Sequence, residues 1–228
     1  MIDRAAPASS HKGDESAKQV ARFPNLRAAG TRLPQQLQHL DVTDTVVLAI
    51  ANAGVPVARE VADQFDLPID ILIIRRLFVP RGAGSEICAV SVAGRVVLDE
   101  QVIVAANPTI PIEHFIVQGI SQLQERAQIS RGDQPPLEIA GRKILLVDCA
   151  IHTASTMKIA IRALRTLRPM FIVAAVPVAS REGDALVERI ADEVVCLALA
   201  EPFGHAGMWY YDFDRPSDEE VRKLLDRP

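Results

Sequence analysis

The sequence predicts an α/β protein built on a mainly parallel sheet with helices on both faces. Three observations carry that prediction. Apolar runs rich in branched residues alternate along the chain with segments whose apolar residues recur at helical spacing. Two of the runs, residues 45–50 (TVVLAI) and 143–147 (KILLV), are nearly unbroken by polar residues, as in strands buried on both faces. Small or polar turns follow the strands before the next helix begins. Alternation of this kind gives a parallel sheet covered on two sides, with ligands bound beyond the C-terminal ends of the strands.

The chain has 228 residues, 49% hydrophobic and 24% charged, which suits one domain, or one domain with tails, and a real core. Its net charge of −4 leaves no electrostatic footprint for general nucleic-acid binding. A phosphate-bearing partner must therefore be held locally. Cys88, Cys149 and Cys196 lie far apart without paired metal-ligand spacing, which suits a reducing compartment. The polar start does not read as a signal peptide, and no apolar run reaches the roughly 18 residues of a membrane span. A cytoplasmic protein is expected.

Residues 1–20 lack periodicity and read as a flexible tail, leaving 21–228 as the domain. Leu26, Ala29, Leu33, Leu37 and Leu40 keep a helical period, with a break at Pro34. Strand 45–50 follows, then a small-residue turn at 51–54 and a helix at 55–65. A second strand, 69–74, ends at Arg75 and Arg76, ahead of a loop at 77–85 containing Pro80, Gly82 and Gly84. Two short strands, 87–92 and 95–98, flank a turn at Ala93 and Gly94. A helix at 111–130 and a Pro-rich link at 134–136 lead to strand 143–147. A helix at 156–167, a strand at 170–177, a helix at 184–190 and a strand at 193–197 complete the alternation.

The segment ILLVDCAIHTAST (144–156) carries the clearest chemistry. A buried strand ends in Asp148, and Thr153, Ala154, Ser155 and Thr156 stand at the mouth of a helix. The first turn of a helix leaves amide N–H groups unpaired and carries partial positive charge, so it favours phosphate. Hydroxyls there add donors, while Asp148 can accept from sugar hydroxyls or hold a metal-bound water. A sugar phosphate fits: anion at the helix, diol at the acid. Taken alone, the segment also reads as an acidic strand end followed by a Ser/Thr helix cap, both common.

The segment resembles the 5-phosphoribosyl-1-pyrophosphate (PRPP) motif of type I phosphoribosyltransferases: four apolar residues, two acids, then Thr-Gly-x-Thr. The resemblance runs from about Phe23 through most of the chain and is strongest to a bacterial branch with no assigned acceptor. It includes GVPVA (54–58), VPVA (176–179), ADEVVCL (191–197), EPF (201–203), Trp209-Tyr210, Asp212-Phe213 and SDEEV (217–221). It implies the type I phosphoribosyltransferase fold, with a small hood formed by the chain ends. It implies transfer of ribose 5-phosphate from PRPP to a nitrogen nucleophile, with Mg²⁺ and release of pyrophosphate. On that resemblance Asp148 holds the ribose and residues 153–156 the 5-phosphate. Arg75 and Arg76 attract pyrophosphate, and Asn52, Ala53 and Gly54 approach it by backbone. Trp209 and Tyr210, with Phe203 and Phe213, form a hood that stacks on the acceptor, or else cap the core. No protein metal-ligand set is expected. Dimers are common in the family, so a homodimer is the implied assembly, while the sequence leaves the oligomeric state open.

The departures bear on activity. The second acid is Cys149, the loop glycine is Ala154, and the small residue before the threonine is His152. The first loop, usually Pro-Arg-Gly-Gly in this branch, is Ala51-Asn-Ala-Gly54, without its arginine. Activity is expected to be weak or absent. The alternative is a non-catalytic protein that binds a nucleotide or sugar phosphate; a scaffold that uses only the fold comes third. The 80–84 stretch reads either as a lid or as an ordinary loop. Cys149 and His152 lie three apart, but no orienting third group accompanies them, so an inert thiol is expected.

Overall fold

The computed structural model describes residues 22–78, 86–98 and 112–226. One seven-stranded sheet organises them, in the order β4-β3-β2-β1-β5-β6-β7. Its strands are β1 (Thr45–Ile50), β2 (Ile69–Phe78), β3 (Glu86–Val92), β4 (Arg95–Leu98), β5 (Lys143–Val147), β6 (Phe171–Ser180) and β7 (Glu193–Ala200). The five strands from β2 through β1, β5 and β6 to β7 are parallel, while β3 and β4 add an antiparallel edge. The α/β class and the parallel core therefore stand as the sequence predicts.

Alternating side chains divide the interior into two layers. Val47, Ala49, Ile71, Ile73, Leu145 and Val147 face a core completed by α1 (Leu26–Gly30), α2 (Leu33–Leu37), α3 (Gly54–Phe65), α4 (Ile112–Arg131) and α7 (Asp218–Leu225). Val46, Leu48, Ile50, Leu72, Ile144 and Leu146 face the other, beneath α5 (Ser155–Thr166) and α6 (Arg181–Glu188). Because both faces are covered, β1 is buried at all six positions, which explains its unbroken apolar run. No helix of the described residues is long and apolar enough to cross a membrane.

Chain order reverses direction in the sheet between β1 and β5. From β1 the chain steps outward to β2 and β3, and from β5 it steps the other way to β6 and β7. The turn after β1 and the turn after β5 therefore open side by side at a topological switch point, the place where open α/β sheets hold ligands.

Four boundaries differ from the sequence expectation by three residues or more, each for a tertiary reason; one is β7, which runs to Ala200 rather than 197 because its pairing with β6 continues to Ser180 opposite Ala200. β2 does not end before Arg75 and Arg76; it continues to Phe78 because antiparallel pairing with β3 runs from Ile73 opposite Ser91 to Phe78 opposite Glu86. β6 reaches Ser180 rather than 177. Ile151 of the loop after β5 joins it there, its N–H donating to the Val178 carbonyl at 3.0 Å and its carbonyl accepting from Ser180 N–H at 2.8 Å. Ser180 then caps α6 through its hydroxyl, which accepts from Gly183 N–H at 2.9 Å, so that helix starts at Arg181 rather than 184. The break near Pro34 appears as two short helices, with Pro34 in the first turn of α2. The 1–20 tail and the 80–84 stretch lie outside the described residues.

Candidate functional site

Asp148 leaves β5 into the switch point. Its Oδ1 accepts from the Cys149 N–H at 2.7 Å. Burial pushes its carboxyl up to about 7, against the opposing pull of that hydrogen bond and of the Arg215 charge. The chain then pairs with β6 at Ile151, which fixes the loop from below. Residues 148 and 150–157 line a cavity of about 130 Å³. Asp148, Thr153, Ala154, Ser155 and Thr156, the acid and phosphate-turn residues expected from the sequence, all meet there.

Ala154 has φ of 60° and ψ of −8° and immediately precedes α5. That is the left-handed region, which costs an L-residue about 1–2 kcal/mol and favours glycine. The alanine methyl is buried against the second core layer, which offsets part of the cost. No side chain caps α5 at this end, so its first-turn N–H groups remain available at the cavity. The Thr153 hydroxyl donates to Ser155 Oγ at 3.2 Å, holding two further oxygen groups together.

Gly54 opens α3 against the end of β5. A Cβ at this position would lie 2.9 Å from the Val147 carbonyl oxygen and 3.1 Å from Asp148 Cα. Only glycine lets the two turns approach this closely. Ala53 is buried just before it, and the Ala51–Asn52 peptide is cis. The Asn52 side chain enters a polar cluster. Its Nδ2 donates to the Pro216 carbonyl and to Asp218 Oδ1, both at 3.2 Å. Its Oδ1 accepts from Arg126 Nη2 at 3.3 Å, and the same Nη2 lies 3.3 Å from Asp218 Oδ1.

Tyr210 departs from its expected place. It is 2% exposed, packs against Phe23 and Phe213 with centroid distances of 5.7 and 5.2 Å, and donates its hydroxyl to the Cys149 carbonyl at 2.5 Å. It braces the loop from within the core instead of offering a face to a ligand. The reason is tertiary: the backbone pairing of Phe23 with Tyr210 draws this residue inward. Trp209 is half-buried, donates Nε1–H to the Phe203 carbonyl at 2.9 Å and packs on the Phe203 ring. His152 is exposed and stacks on Phe203, with centroids 5.0 Å apart and ring planes 13° from parallel. Burial holds the Cys149 thiol well above its usual range, and the Asp148 charge adds to this. A buried thiol raised in this way is a poor nucleophile.

Arg75 sits in β2 opposite Ala89, three residues beyond Leu72, which aligns with the last residue of β1. That places its backbone at the ligand end of the sheet, about 10 Å past β1. Arg76 follows opposite Cys88; its side chain lies outside the described residues. Sequence reasoning missed Arg126, Pro216, Asp218 and Arg215. Asp218 reads as a solvated helix start, and no spacing ties it to position 52. The basic residue Arg126 in an amphipathic helix carries no signal of where its guanidinium reaches.

Among the described residues, no three His, Cys, Asp or Glu side chains converge so as to hold a metal ion. One carboxylate, Asp148, lines the cavity. That donor set fits a magnesium ion only in the manner usual for it, a single carboxylate joined by phosphate oxygens of a bound substrate.

Comparison with known proteins agrees with this geometry. Residues 16–211 match the family described as phosphoribosyl transferase domain. Two Mycobacterium tuberculosis proteins, from strains CDC 1551 and H37Rv, each bearing the name "Putative phosphoribosyl transferase", are 35% identical over 211 residues, or 90% of this chain. The chain spans about half the length of these relatives, 46%. The crystal structure of TT1426 from Thermus thermophilus superposes with a TM-score of 0.74 at 30% identity, covering 90% of this chain and 97% of that one. A sheet with its cavity at this switch point, and a family match over most of its length, define the class: the chain belongs to the phosphoribosyl transferase domain family.

Proposed function

We propose that the chain binds PRPP at the switch point and transfers its ribose 5-phosphate group to a nitrogen nucleophile, releasing pyrophosphate. The observation that carries this reading is the single cavity shared by Asp148 and residues 153–156. The hydroxyls of Thr153, Ser155 and Thr156 and the first-turn amides of α5 bind the 5-phosphate. Asp148, when ionised, accepts from the ribose hydroxyls. The bond from the sugar anomeric carbon to the pyrophosphate oxygen breaks, a bond to nitrogen forms, and the nitrogen loses its proton. The developing positive charge on the sugar and negative charge on the leaving group make positioning and charge stabilisation the main tasks. A magnesium ion would be held by Asp148 together with the substrate phosphates and would supply charge neutralisation at the pyrophosphate. A nitrogen base as acceptor, and a location in the cytoplasm, belong to the same proposal.

A second reading, a non-catalytic sugar-phosphate or nucleotide binder, is favoured by one observation. Asn52 spends its side chain on Pro216, Asp218 and Arg126, and the loop holds no cation of its own. Calorimetric titration separates the two readings. PRPP with Mg²⁺, ribose 5-phosphate and a nucleotide panel are added to the purified chain, and pyrophosphate release is followed with a panel of bases. The enzyme reading expects PRPP to bind at least tenfold tighter than ribose 5-phosphate, a margin of about 1.4 kcal/mol, and pyrophosphate to appear with at least one base. Equal affinities without pyrophosphate release select the binder. Absence of binding to every compound overturns both.

A further inference from the structure

The proposed reaction brings pyrophosphate, a multiply charged anion, to the 51–54 turn, whose own residues are Ala, Asn, Ala and Gly. We infer that Arg126, delivered from α4, is a further cation, beside Arg75 and Arg76, that binds the pyrophosphate end of the ligand, and that Asp218 is the carboxylate it leaves to do so. This inference rests on the proposed function and adds a binding residue that the turn itself does not contain.

Arg126 reaches the turn by geometry that the fold imposes. Its Nη2 lies 3.3 Å from Asn52 Oδ1 and 3.3 Å from Asp218 Oδ1, while Asn52 Nδ2 lies 3.2 Å from the same Asp218 oxygen. The three groups close a triangle beside the switch point. A guanidinium has five N–H donors, and these contacts engage one of its nitrogens. The Arg126 side chain retains 46% of its exposure, so it stays accessible to an anion arriving from solvent. Planar guanidinium donors match phosphate oxygens in pairs, which makes arginine a suited partner for this ligand.

Asp218 gives the inference its sharp consequence. Its carboxylate is paired with Arg126 and, like it, is partly exposed, beside the Asn52 side chain of the 51–54 turn. If Arg126 binds the ligand, Asp218 competes with it, and removing the two charges has opposite effects. If the pair is only an exposed structural contact, worth little by itself, losing either partner breaks the same contact and acts in the same direction.

The test titrates the full chain with PRPP, inorganic pyrophosphate and ribose 5-phosphate in the presence of Mg²⁺, using wild type, Arg126→Gln, Arg126→Lys and Asp218→Asn. Arg126→Gln is expected to weaken PRPP and pyrophosphate about tenfold or more while moving ribose 5-phosphate less than about twofold. Asp218→Asn is expected to tighten the first two by about threefold. Arg126→Lys keeps the charge and is expected to fall between wild type and Arg126→Gln; together with Asp218→Asn it decides the matter should Arg126→Gln fail to fold. Unchanged affinity in the Arg126 variants, or losses of the same sign on substituting either residue, overturns the inference. Wild type that binds neither PRPP nor ribose 5-phosphate overturns the proposed function instead; the pyrophosphate arm then still decides the role of Arg126, and wild type that ignores pyrophosphate as well overturns both.

Discussion

Asp148 is a carboxyl group whose use depends on its charge, and the fold makes that charge costly. Half-buried at the end of β5, its carboxyl is pushed up by desolvation to about 7, above the usual carboxylate range. Because its folded value is raised, the protein binds an extra proton relative to the unfolded chain between about pH 4 and 7. Its contribution to stability is therefore fullest below about pH 4 and is lost as pH rises through 7. Ligand affinity follows the opposite course, since the ionised form is the one that accepts from a sugar diol. The isosteric Asp148→Asn variant is expected to be more stable than wild type at pH 8, by up to about 4 kcal/mol, with little difference near pH 4. Sugar-phosphate affinity of wild type should rise between pH 6 and 8, while that of the variant stays flat and lower. Denaturant unfolding and titration at the two ends of the range check both curves. A flat wild-type affinity profile would remove the Asp148 charge from the binding step.

At the scale of elements, the site is held by one helix from below and clasped by another from the side. α5 presents an uncapped first turn to the cavity because its capping position, Ala154, has no polar side chain. α7 does the reverse. Ser217 and Glu220 form a reciprocal capping box, with the Glu220 carboxylate accepting from Ser217 N–H at 2.8 Å and Ser217 Oγ accepting from Glu220 N–H at 3.3 Å. That cap also fixes Pro216 and Asp218, the two groups that hold Asn52. Ser217→Ala is expected to cost about 1 kcal/mol of stability in urea unfolding. Loosening the start of α7 should also weaken PRPP more than ribose 5-phosphate, because it frees the 51–54 turn and leaves the α5 mouth intact. Equal changes for both ligands would show that the clasp does not reach the turn.

At the scale of the whole molecule, a buried ion pair ties down the end of the sheet opposite the site. Asp70, at 2% exposure, accepts from Arg131 Nε at 3.0 Å, from Leu137 N–H at 3.1 Å and from its neighbour Ile71 N–H at 2.7 Å. These bonds join the start of β2, the end of α4 and the segment leading to β5. Arg131 is almost as deeply buried, so Asp70→Ala strands its charge and is expected to cost about 3–5 kcal/mol in denaturant unfolding. Protein that remains folded should keep its sugar-phosphate affinity, since the pair lies away from the switch point. A cost below about 1 kcal/mol would mean that Arg131 finds solvent easily once its partner is gone.

The sequence by itself determined the α/β class, the parallel core strands, the family and the turn at 148–156. Those properties are written in short-range patterns: branched apolar runs such as 45–50 and 143–147, and an acid followed by hydroxyls at the next helix. Strand and helix ends were less legible where pairing extends an element past its own pattern, as β3 does for β2 and Ile151 does for β6. Only the tertiary structure decided what the site residues touch. Asn52 meets Arg126, 74 positions away, and Asp218, 166 away. Tyr210 reaches the Cys149 carbonyl across 61 positions and is thereby a brace instead of a platform. No periodicity records such contacts, because they follow from where the sheet reverses its order and which helices that reversal brings to one end.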